Sequence, residues 1–97
     1  MTARMDRLVF TLGDVTNVRG EYVADWRWRL VAAENGKTLA WAEGYRRRID
    51  AVRNAARTLA VPELDIAEAV QVAAREKRAA LAAVRRTGVA LTVEVVR

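Results

Sequence analysis

The chain contains no cysteine, no histidine and no serine, and only one proline, Pro62, in 97 residues. Without cysteine there is neither a disulfide framework nor a thiolate nucleophile. Without histidine the usual proton shuttle near neutral pH is gone, and so is the commonest zinc ligand. The missing serine removes the remaining member of the familiar nucleophile–base pairs. The twelve Asp and Glu are spread out, most of them beside an Arg or Lys, so no carboxylate metal site stands out. The five glycines, at 13, 20, 36, 44 and 88, look like turn residues and form no phosphate-cradling loop. Thr, Tyr, Lys and carboxylates remain, yet the expectation is a non-enzyme with no catalytic residue, no metal and no cofactor.

Long apolar runs are lacking too. None approaches the ~20 residues that a membrane span requires. Residues 1–7 hold no apolar signal core, so a cytoplasmic location is the expectation. What is present is 53% hydrophobic and 30% charged residues, the balance of a folded globular chain. The length fits one domain, residues 1–97.

The most informative stretch holds all three tryptophans. Trp26, Trp28 and Leu30 alternate with Arg27 and Arg29, then come Asn35 and Gly36, then Leu39 and Trp41. Asn-Gly favours a two-residue type I′ turn, which sets Glu34 against Lys37 and Leu30 against Trp41. In that register one face gathers Trp26, Trp28, Leu30, Leu39 and Trp41, all expected in the core. The other face gathers Arg27, Arg29, Val31, Ala40 and Ala42, joined by Val9 and Thr11 of a preceding strand.

Residues 7–12 read as that strand, with Leu8, Phe10 and Leu12 on one side, and residues 13–20 as a loop. Residues 46–60 switch to helical spacing through Ile49, Val52, Ala56 and Leu59. Pro62 stops this helix and opens a second over residues 63–86, with Glu63 and Asp65 at its positive end and Gly88 as C-cap. Residues 89–96 alternate as a last strand. The fold expected is α+β, in the order βββααβ, with an antiparallel sheet and two helices packed on one face. The last strand either joins the sheet at an edge or pairs with a second subunit, because an apolar strand left bare invites aggregation.

The run Trp28, Arg29, Leu30, then Asn35-Gly36, Leu39-Ala40 and Glu43-Gly44-Tyr45, continued by Arg46, Arg47 and Arg48, resembles the YegP-like family of small uncharacterised domains. The likeness covers residues 20–60. Trp41 or Ala42 stands where that family often has serine, and residues 62–97 form a helix–strand extension where the family often has a second copy of the unit. The resemblance implies a ββα unit occurring in tandem or as a dimer. It implies no activity and lends no catalytic residue.

The net charge of +5 is uneven: residues 1–43 are neutral, while 44–61 and 75–86 each carry +4. Arg46, Arg47, Arg53, Arg57, Arg75, Arg78 and Arg85 are therefore candidate phosphate contacts. A solvated pair of Arg-rich helices from a GC-rich genome explains the same charge without a ligand. The half-apolar second sheet face, with Val9, Thr11, Arg27, Arg29, Val31, Ala40 and Ala42, is the candidate protein interface. The preferred expectation is a small binding or adaptor module acting through protein–protein contacts as a homodimer. The alternative is a nucleic-acid-associated protein using the helical arginines.

Overall fold

A computed structural model describes residues 5–16, 19–84 and 89–96. Seven elements follow one another: β1 (Arg7–Thr16), β2 (Tyr22–Val31), β3 (Thr38–Tyr45), α1 (Arg48–Leu59), α2 (Glu63–Glu76), β4 (Ala80–Val84) and β5 (Val89–Val96). The strands form one five-stranded sheet in the order β3-β2-β1-β5-β4. The fold is α+β with both helices on one face, but the sheet is mixed. β1 runs parallel to β5, from Arg7 beside Thr92 to Thr11 beside Val96, and the other pairs are antiparallel.

Even-numbered residues of β1 and β2 face the helices. Leu8, Phe10, Trp26 and Trp28 are buried there with Leu91 and Val93 of β5. The helices meet them with small side chains, Ala51, Val52 and Ala55 from α1 and Ala69, Val70 and Ala73 from α2. Small residues let a helix axis approach the sheet closely, so most bulky groups of the core belong to the strands, with Ile66 of α2 the large helical exception.

Two boundaries differ from the sequence expectation. α2 ends at Glu76 rather than near residue 86, because Lys77 turns left-handed at φ 54°. The chain then forms β4, which covers the outer side of β5. β5 is thus an interior strand, not an edge. Arg85 and Gly88 lie outside the described residues. β1 also runs on to Thr16, where a loop from residue 13 is expected.

α1 closes with Ala60 at φ 54°. The Ala60 N–H donates to Arg57 O and the Val61 N–H to Ala56 O, at 3.2 and 3.0 Å. This is a Schellman closure with alanine where glycine is usual. Ala60→Gly should relieve the Cβ clash and raise stability by about 0.5–1 kcal/mol, read as a higher urea midpoint.

The largest correction concerns the hairpin. A type I′ turn needs positive φ at both central residues, and Asn35 does not have it; Gly36 does, at φ 70°. The chain makes a four-residue loop instead. Ala32 N–H donates to Lys37 O at 2.9 Å, Gly36 N–H to Ala32 O at 3.0 Å, and Asn35 Oδ1 accepts the Lys37 N–H at 3.0 Å. That loop alone moves the register by two, and an extra β3 residue opposite Leu30–Val31 takes one back, so Leu30 faces Ala40 and Arg29 faces Trp41. A one-residue shift exchanges faces along a strand. Ala40 and Ala42 therefore pack against the core, while Leu39 and Trp41 turn to the uncovered side. The three indoles do not lie together: Trp26 and Trp28 are buried, and Trp41 is 65% exposed.

Candidate protein-binding surface

The side of the sheet away from the helices carries no covering element among the described residues. Arg7, Val9 and Thr11 come from β1, Arg27, Arg29 and Val31 from β2, and Glu94 and Val96 from β5, by strand alternation and register. β3 adds Thr38, Leu39, Trp41 and Glu43. This strand has irregular register at both ends, between Trp26 and Trp28 and between Leu30 and Val31 of its neighbour. Each irregularity places two β3 residues opposite one of β2, which keeps Leu39 beside Thr38, and Glu43 beside Gly44, on the open side.

Asp25 fixes the irregularity between Trp26 and Trp28. It is only 9% exposed. Its Oδ1 accepts the Gly44 N–H at 2.8 Å and its Oδ2 accepts from Arg27 Nη2 at 2.6 Å. Gly44, at φ 93°, supplies the left-handed residue that the bulge requires. Gly13 lies directly across from Asp25. A Cβ there would come within 2.9 Å of Arg27 Nη2, so the missing side chain makes room for that guanidinium. Arg7 Nη1 and Glu94 Oε1 form a longer pair at 3.6 Å.

Arg27 borders a shallow groove of about 390 Å³ lined also by Val9, Thr11, Arg29, Trp41 and Glu43, among others. Of the interface residues expected from sequence, Thr11, Arg27 and Arg29 border it from the open side. Val9 and Val31 share the side but are 3% exposed. In register Val9 lies between Arg29 and Glu94, and Val31 lies beside Arg7. Ala40 and Ala42 pack toward the core, as the register shift requires, although Ala42 also lines the groove. The sequence reading missed Leu39, Trp41 and Glu43. The loop alone keeps them on the core side; the bulge between Leu30 and Val31, which nothing in the sequence marks, turns them outward.

The arginine surface is divided. Arg47 donates from Nε and Nη2 to Asp50 at 2.8 and 3.1 Å. This bond holds the Asp50 carboxyl below the usual carboxylate range and pushes the Arg47 guanidinium up. Arg53 pairs with Glu63 at 3.2 Å and Arg78 with Glu76 at 2.7 Å. Arg46, Arg57 and Arg75 are exposed and form no ion pair among the described residues. Arg48, absent from the sequence candidates, lies over the Trp26 ring, 5.9 Å from its centroid. Among the described residues no group of His, Cys, Asp or Glu could hold a metal ion, and no helix is long and apolar enough to cross a membrane.

No family model matches this chain, and neither a characterised protein nor a solved structure matches it.

Proposed function

We propose that the chain is a small non-enzymatic binding or adaptor module that works through protein–protein contacts and pairs with a second copy across its open sheet face. One observation carries the reading: Trp41, the largest side chain of β3, projects into solvent from a face without helical cover. Leu39 and Val96, 57% and 46% exposed, stand on the same side. Buried aromatic anchors dominate the energetics of protein interfaces, and apolar groups gathered on one exposed face mark interaction surfaces. The likeness of residues 20–60 to the YegP-like unit, which occurs in tandem or as a dimer, points the same way. A cytoplasmic setting suits a chain without cysteine.

Trp41→Asp tests it. Trp41 already stands in water, so the variant should keep the urea midpoint of the parent. In sedimentation equilibrium the parent should be a dimer, and the variant should dissociate at least about tenfold more readily. A parent that stays monomeric, or a variant that dimerises equally well, overturns the proposal. The nucleic-acid alternative has less support, because Arg47, Arg53 and Arg78 are engaged by carboxylates of their own chain.

A further inference from the structure

Two charged groups on the open face have no counter-ion among the described residues. Arg29 and Glu43 are exposed, and neither forms an ion pair among the described residues. Their neighbours Arg7 and Arg27 are matched by Glu94 and Asp25. Among the described residues the face therefore carries three cations (Arg7, Arg27 and Arg29) and three anions (Asp25, Glu43 and Glu94) and is neutral, although the chain bears +5. A polyanion gains no net attraction there. A second copy of the chain meets no net repulsion there, provided that its own leftover charges fall opposite the right partners.

The register allows this. Arg29 is the direct cross-strand partner of Trp41, which places it about 5 Å away across the ladder. Glu43 is two residues further along β3, about 6.6 Å away along the strand. The two charges thus lie at comparable distances from Trp41 in perpendicular directions. A two-fold axis in the sheet plane, passing diagonally between them and close beside Trp41, exchanges their positions. We infer that two copies pack open face on open face about this axis, with Arg29 of each copy against Glu43 of the other and the two Trp41 rings meeting beside the axis. The inference rests on the homodimer proposed above and adds its register. Such a contact is isologous and closed, so it yields dimers and not fibres. Exposed charge pairs contribute little raw affinity, but they reject alternative registers, in which Arg29 would face Arg29.

Charge exchange decides the matter. Arg29→Glu, Glu43→Arg and the double variant are compared with the parent by sedimentation equilibrium at moderate salt. Thermal melts confirm that all four fold alike, since both positions are exposed. Each single variant creates two like-charge contacts per dimer and should weaken association at least about tenfold. The double variant restores opposite charges at both contacts and should return to within about threefold of the parent. An equimolar mixture of the two single variants should form heterodimers, seen in native mass spectra. If the double variant remains as weak as the singles, or the mixture forms no heterodimer, the register is wrong. Trp41→Asp separates the two levels. Dissociation by that variant alongside a failed exchange leaves the face as the interface and removes the register. An intact dimer with Trp41→Asp removes both.

Discussion

Trp28→Ala should lower the free energy of unfolding by about 3–5 kcal/mol, a large share of the total for a domain this size. Trp28 is 2% exposed and forms the centre of the core between β2 and α1. Two losses combine. Removing the indole leaves a void that the alanines of α1 and α2 are too small to fill. It also strands Asn54, whose Oδ1 accepts the indole N–H at 2.9 Å. Trp28→Phe separates the contributions: it retains most of the apolar volume, forfeits the hydrogen bond and should cost about 1–2 kcal/mol. Urea unfolding followed by far-ultraviolet circular dichroism reads both without depending on the removed fluorophore. A loss below about 1 kcal/mol for Trp28→Ala would contradict the placement of this ring at the centre of the core.

Asp25→Ala should cost about 2–3 kcal/mol, because one nearly buried carboxylate serves two donors. Without it the Gly44 N–H loses its acceptor and Arg27 its counter-ion. The consequence reaches beyond stability. Asp25 holds the bulge that keeps β3 in register, and a slip of one residue would carry Trp41 toward the helices and Ala42 outward. The variant should therefore show slower acrylamide quenching of tryptophan emission together with the lower urea midpoint. Asp25→Asn retains an oxygen for Gly44 and should lose less than half as much. Equal losses for the two variants would show that the Arg27 pair, rather than the bulge, supplies the stabilisation.

Four of the strands and the first helix were legible because their patterns are strong. Leu8 and Phe10 alternate plainly, Trp26 and Trp28 flank one arginine, and Val52, Ala56 and Leu59 recur at helical spacing. The failures share a physical origin in backbone states that sequence marks weakly. Asn35-Gly36 satisfies two different turns, and the longer one forms with Asn35 at negative φ. Lys77 and Ala60 adopt the left-handed conformation with no glycine to signal it. Ala80–Val84 is rich in a strong helix former, yet pairing with β5 outweighs that local preference. The site was misread because the bulge beside Leu39, which nothing in the sequence marks, shifts β3 by one. A single residue of register decided whether Trp41 belonged to the core or to the surface. Arg27 and Arg29 were placed correctly, since they alternate with buried tryptophans whatever the turn does.

The parallel pairing of β1 with β5 has a kinetic consequence. Leu8 lies beside Val93, so two neighbouring interior strands of the sheet come from opposite ends of the described chain. Everything between them must be gathered before that ladder can zip, and closing so long a loop spends entropy before any contact rewards it. The β1–β2–β3 meander, held by neighbours in sequence, is free to collapse early. The seam between β1 and β5 then becomes the slow step, and until it closes the meander shows a bare edge to every other chain in the solution.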